Sequence, residues 1–139
     1  MTAQVSSYVT LSTSYKKMTM ESALVHGGNI LTVSSGGIKC TKAGYVLVGG
    51  QASFYGISDS HVCAVTIEQN STQVAESKAR SSGDRTEITI TPRLIHVYAN
   101  DIIYLYVANT SQATGQAGSN STSVTDEDKR KNYLTVQYV

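Results

Sequence analysis

The sequence predicts an all-β fold, an antiparallel β-sandwich or jelly roll formed by one domain spanning residues 1–139. Three observations predict it. Apolar residues recur at every second position in closely spaced segments, with almost no three-to-four spacing that would mark a helix. Turn formers punctuate these segments, with eleven Gly and one Pro in 139 residues. The aromatic content is nine Tyr against one Phe and no Trp, which suits half-buried strand positions where a ring packs and a hydroxyl meets water.

The first segments, Tyr8–Leu11 and Tyr15–Met20, are short. Asn29–Ser34 reads as a strand that turns at Gly36-Gly37 into Ile38–Cys40. Ala43–Gly56 is the long strand, with Val46, Val48, Ala52 and Phe54 on one face and Tyr45, Leu47, Gln51 and Ser53 on the other. Gly49-Gly50 in its middle calls for the close approach of another group, and the reading places that approach between subunits. His61–Asn70 and Thr72–Arg80 form a hairpin around Gln69-Asn70-Ser71. Arg85–Asn100 and Asp101–Asn109 meet at Ala99-Asn100-Asp101, and in the second of them Tyr104 and Tyr106 oppose Ile103, Leu105 and Val107. Thr110–Lys131 is polar and reads as one long loop with no helix, so deletion of Ala113–Ser123 is expected to leave the fold intact. Tyr133–Val139 closes the chain as a last strand.

Composition narrows the function classes. Charged residues make up 15% of the chain and the net charge is +1, so the basic face that nucleic acid requires is absent. Lys129-Arg130-Lys131 follows Asp126-Glu127-Asp128 directly and reads as part of a solvated, self-neutralising loop; that acidic run lacks the spacing of a calcium loop. No apolar run reaches membrane-spanning length and no signal peptide is expected. Cys40 and Cys63 are expected to be free thiols.

Motifs of catalysis are missing around the three histidines, His26, His61 and His96. Asp59, His61 and Cys63 are metal-ligand types at alternate positions, but three ligands fall short of a structural site. The reading is therefore a protein that is not an enzyme and carries neither metal nor cofactor. The sequons at Asn70, Asn109 and Asn120 read as turn residues.

Three stretches in order carry a resemblance: IKCTKAGYVLVGGQASFYG (Ile38–Gly56), YANDIIYLYVANTS (Tyr98–Ser111) and YLTVQYV (Tyr133–Val139). Together they resemble the complement C1q/TNF-like jelly roll, and more closely the small C1q-like domains of bacteriophage fibre, head-fibre and decoration proteins and of related bacterial surface proteins. Gly44 opening the long strand before Val46 and Val48 fits that pattern, as do the Asn100-Asp101 turn before Ile103, Leu105 and Val107, and the closing Leu134, Val136 and Tyr138. The resemblance spans Leu11 to Val139. It departs from the animal members at Val46 and Val48, where those carry larger aromatics.

The resemblance implies a homotrimer whose last strand is central in its sheet. It also implies a non-enzymatic structural or host-attachment protein on the virion surface, made in the host cytoplasm, or alternatively on a bacterial cell surface. A purely capsid-stabilising or fibre-capping role is the second reading. The partners expected are two further copies, other virion proteins, and a host-surface glycan or protein. No nucleic acid and no membrane insertion are expected. Tyr45, Leu47, Gln51, Tyr104, Tyr106 and Tyr133 are the candidates for the trimer interface, with the first three foremost. The candidates for partner contact lie on three loops, Tyr55–Ser60, Ser81–Asp84 and Thr110–Lys131. They are Tyr55, Ser58, Asp59, Asp84, Gln112, Gln116 and Asn120.

Overall fold

Alternation of apolar and polar residues becomes two antiparallel sheets stacked on a shared core. The computed structural model of the chain describes residues 1–25, 28–83 and 85–139. In chain order the elements are β1 (Thr2–Val5), β2 (Val9–Thr10), β3 (Lys16–Met18), β4 (Met20–Val25), β5 (Leu31–Ser34), β6 (Gly37–Cys40), β7 (Gly44–Tyr55), β8 (Val62–Gln69) and β9 (Thr72–Arg80). They continue with β10 (Arg85–Val97), β11 (Ile102–Asn109), β12 (Gln116–Ala117), α1 (Asp126–Lys131) and β13 (Tyr133–Tyr138).

One sheet runs β2-β12-β7-β13-β1-β4, with β10 lying along the other side of β7 for its whole length. The second runs β5-β6-β11-β8-β9, with β3 also paired to β11. As expected, β13 is a central strand: it lies between β7 and β1, so both of its ladders are satisfied. The turns are those the sequence marks. Asn70 (φ 57°) and Asn100 (φ 75°) take the left-handed conformation that asparagine tolerates.

The core is the set of inward residues of both sheets. Val46, Val48, Ala52 and Phe54 of β7 and Leu134 and Val136 of β13 meet Val65 and Ile67 of β8 and Ile103, Leu105 and Val107 of β11. Both cysteines belong to this core and are free. Burial pushes each thiol up to about 11, which keeps it protonated and unreactive.

Gly50, the second residue of the Gly49-Gly50 pair, has a reason within the chain. A Cβ on Gly50 would stand 2.9 Å from the Tyr133 carbonyl oxygen and 3.0 Å from Leu105 Cδ1. The bare Cα is what lets Leu105, coming from the opposite sheet, seat against β7. Gly50→Ala is accordingly expected to cost about 1–3 kcal/mol of stability, read as a lower urea midpoint with an unchanged slope.

One strand goes unmarked in the sequence and one expectation is corrected. Thr2–Val5 is a strand with Ala3 and Val5 buried between β13 and β4. Thr110–Lys131 is not one structureless loop. Gln116–Ala117 is a strand between β2 and β7, and Ala117 and Ser119 are buried. Deleting Ala113–Ser123 would therefore remove core and ladder, not slack chain.

The segment's end is also a helix, α1. Thr125 caps it: its hydroxyl accepts from the Asp128 N–H (3.1 Å), and the Asp128 carboxylate accepts from the Thr125 N–H (3.0 Å). Its first turn is acidic and its last turn basic, matching the helix dipole, and Lys131 reaches Glu127 one turn back at 2.6 Å. The acidic and basic runs that read as a solvated loop are this helix.

Candidate functional site: the outer face of the seven-stranded sheet

Strand alternation places Tyr45, Leu47, Gly49, Gln51, Ser53 and Tyr55 of β7 on the face of the first sheet that points away from the core. β13 adds Tyr133, Thr135 and Gln137, in register with Gln51, Gly49 and Leu47. β10 adds Thr89 opposite Gln51, Leu94 opposite Leu47 and His96 opposite Tyr45.

The face divides along its length. Over the Gln51–Tyr55 half, α1 and the segments flanking it are tied down. The Gln51 side-chain N–H donates to the Lys131 carbonyl (3.0 Å), and its amide oxygen accepts from the Thr89 hydroxyl (2.9 Å). Asn132, fully buried just past the helix, accepts from the Ser53 N–H (2.7 Å). It donates to the Gly118 carbonyl (3.1 Å) and the Asp128 carbonyl (2.8 Å). Charges gather here. Arg85 and Lys131 both pair with Glu87, and the Arg85 guanidinium lies 5.9 Å from the Tyr55 ring centre. The Tyr55 hydroxyl stands 3.5 Å from an Asp128 carboxylate oxygen. Burial raises the Tyr55 pKa, the nearby Arg85 opposing it.

The other half is bare and bears no charged side chain among Tyr45, Leu47, Leu94, His96, Tyr98, Thr135 and Gln137. Tyr45 is 57% exposed, Leu94 54% and Tyr98 67%. The His96 ring stands edge-on between two phenols, 5.1 Å from Tyr45 and 4.8 Å from Tyr98, centre to centre. The β10–β11 turn beneath is clamped by Asp101. Its carboxylate accepts from Gln69 (2.8 Å), from Asn70 (3.0 Å) and from the Tyr98 N–H (2.8 Å). Burial pushes the Asp101 pKa up, but these hydrogen bonds together outweigh it, and the group sits below the ordinary aspartate value.

The expected interface residues do not share one surface. Tyr45 and Leu47 lie on the bare half. Gln51 and Tyr133 lie on the same face, Gln51 bonded to the end of α1 and Tyr133 just beyond it. Tyr104 and Tyr106 project from the opposite face of the sandwich, because β11 belongs to the other sheet. There their rings meet edge-on at 6.3 Å, with the Lys17 ammonium 4.9 Å above Tyr104. Tyr15 lies on that side as well. Burial and its 2.8 Å hydrogen bond to Glu76 push its phenol up to about 12. Within one chain, Tyr104 and Tyr106 therefore share no face with Tyr45. The sequence reading missed Leu94, His96 and Tyr98. Their signal was the pairing of β10 with β7, which alternation within one strand does not reveal.

The loop candidates gather at the opposite end from Tyr45. Ser58 and Asp59 are exposed beside the 81–83 turn, where the Ser60 N–H donates to the Ser81 carbonyl (3.1 Å). Gln112 and Asn120 are exposed. Asp84 lies outside the described residues. Two candidates are corrected. Tyr55 is the buried last residue of β7, and Gln116 is half-buried in β12, so neither is a free loop residue.

Asn109 is fully buried. Its amide oxygen takes the Ser111 and Gln112 N–H groups, and its amide N–H donates to the Thr114 carbonyl and lies 3.3 Å from His61 Nδ1. Asn70 is engaged with Asp101 and the Ile102 N–H. Both sequons are thus turn pins. Asp59, His61 and Cys63 do not assemble, and no cluster of three metal-ligand side chains occurs among the described residues.

Comparison with family models and with curated proteins finds no match. Among solved structures, murine APRIL at pH 8.0 aligns with a TM-score of 0.66 at 13% identity, over 99% of this chain and 95% of that one. Murine APRIL at pH 8.5 gives 0.64 at 12% identity, over 99% and 96%. The pH 5.0 form gives 0.63 at 12%, over 96% and 97%. The chain has the TNF-like jelly-roll fold, at a sequence identity that shows the fold alone.

Proposed function

We propose that this chain is a non-enzymatic, homotrimeric module of a virion surface, a phage fibre, head-fibre or decoration protein that contacts a host-surface glycan or protein. One observation carries the assembly: the half of the β7–β13–β10 face that α1 leaves open, where Tyr45, Leu94 and Tyr98 are each more than half exposed. Tyrosine and leucine standing together, with Arg93 and the Met1 ammonium at their border, have the composition of an interface core. Closed cyclic packing covers the same patch in every copy.

The loops at the far end, carrying Ser58, Asp59 and Gln112, are then presented three times over, and contact gains by avidity more than by any deep pocket. The viral setting rests on the resemblance of the Ile38–Gly56, Tyr98–Ser111 and Tyr133–Val139 stretches. The lack of enzymatic function is supported by protonated, core-bound thiols and by a His61 that faces an amide instead of a nucleophile.

Light scattering on the purified chain is expected to give three times the 14.9 kDa chain mass. Leu94→Glu, at an exposed position, is expected to reduce that mass to one chain while leaving the circular dichroism spectrum unchanged. A wild-type monomer would overturn the assembly. A glycan array and a host-cell pull-down with the trimer then test attachment, and silence in both would leave a capping or capsid-stabilising role.

A further inference from the structure

Resting on the reading that the Tyr45–Tyr98 face is buried between copies, we infer that His96 makes this assembly pH-gated: subunits associate when its imidazole is neutral and separate when it is charged. The geometry singles out this side chain. His96 is directly opposite Tyr45 in the β7–β10 ladder, and its ring is bracketed by two phenols at 5.1 and 4.8 Å. Among the described residues it is the one histidine of the bare patch, and histidine is the side-chain type whose charge changes near neutral pH.

The groups around it set the sign. Tyr45 from β7 and Tyr98 just past β10 present phenol rings to it. Arg93 of β10 lines the cleft beside His96, while the Glu76 carboxylate is turned to the outer face of the other sheet, where the Tyr15 hydroxyl donates to it (2.8 Å) and the Lys78 ammonium lies 3.6 Å away. The β10–β11 turn brings Asp101 close as well: one Gln69 amide donates both to the His96 carbonyl (3.0 Å) and to the Asp101 carboxylate (2.8 Å). In the separate subunit an imidazolium is well placed: it is solvated and has the Asp101 carboxylate nearby, against the single guanidinium of Arg93. Covering the patch with an apolar face of another copy removes the water and leaves that carboxylate at the rim. The Asp101 carboxylate is already committed to three donors. A buried charge without a dedicated partner is strongly disfavoured. Each subunit must then give up one proton to assemble, three per trimer. By linkage, the trimer dissociation constant rises as pH falls through the imidazole range, approaching about 1000-fold per pH unit for three coupled protons.

The test is light scattering across a dilution series at pH 7.5 and 5.5 on wild type, His96→Gln and, as a control, His61→Gln, with circular dichroism confirming the fold at each pH. Wild type and His61→Gln are expected to be trimeric at pH 7.5 and to dissociate at pH 5.5, while His96→Gln stays trimeric at both. A wild type that remains trimeric on dilution at pH 5.5, or a His96→Gln protein that dissociates as wild type does, overturns the gate and leaves the trimer standing. A wild type that is monomeric at pH 7.5 overturns the trimer itself, and the gate with it. The pH slope of the wild-type dissociation constant gives an independent reading: about three protons supports the gate and none refutes it.

Discussion

Leu105→Asp is expected to yield no folded protein. Leu105 is fully buried at the centre of β11, and its Cδ1 reaches across the sandwich to the site where Gly50 offers no side chain. Replacing it with alanine removes apolar contact and leaves a cavity, at a cost of about 2–5 kcal/mol. Aspartate adds an unpaired carboxylate in the same place, with no donor in reach among Val48, Ile67, Ile103 and Val107. The sum meets or exceeds the roughly 5–15 kcal/mol that stabilises a domain of this kind. Far-UV circular dichroism and solubility on expression read the result. A soluble, native-like Leu105→Asp protein would place β11 in the wrong register.

Asn132→Leu is expected to cost about 3–5 kcal/mol even though the new side chain is nearly the same size. The native amide joins three separate segments: it accepts from Ser53 of β7 and donates to Gly118, after β12, and to Asp128 of α1. Leucine leaves the Ser53 N–H and the Gly118 carbonyl buried and unpaired, each at about 1–3 kcal/mol. Urea unfolding should show the midpoint falling by 1 M or more.

Asn132→Asp separates hydrogen bonding from shape. Its carboxylate keeps the acceptor for Ser53 but sets a negative charge against two carbonyl oxygens. It should be destabilised at pH 7 and partly recover in acid, where the protonated group again donates one hydrogen bond. Equal stability of wild type and Asn132→Leu would mean that α1 contributes nothing to closing the sheet.

How much was legible depends on the range of the interaction concerned. The alternation in Gly44–Tyr55, Val62–Gln69 and Ile102–Asn109 marks strands because a strand's two faces are set by its own neighbours, two residues apart. The turns at Asn70 and Asn100 were readable for the same local reason. So was α1 in principle: Thr125 followed by Asp128 is a capping box, and its acidic-then-basic order suits a helix, but six charged residues without an apolar stripe offer no periodicity. β1 escaped notice because its four residues are strand only through pairing with β4 and with β13 at the far end of the chain.

Among the candidate site residues, Tyr45 and Tyr104 look alike in sequence, each a tyrosine alternating with core aliphatics. They lie on opposite sides of the molecule because β7 and β11 belong to different sheets, and sheet membership is a matter of long-range pairing.

By itself, then, the sequence determined the long strands, which side of each is apolar, and the turns at Asn70 and Asn100, since these follow from backbone geometry and the identity of adjacent residues. Only the tertiary structure decided the rest. It brought Leu94, His96 and Tyr98 beside Tyr45, spread α1 and Asn132 over one half of the sheet and left the other half bare. Hydrogen-bonded ladders between segments dozens of residues apart set those neighbours, and nothing local encodes them.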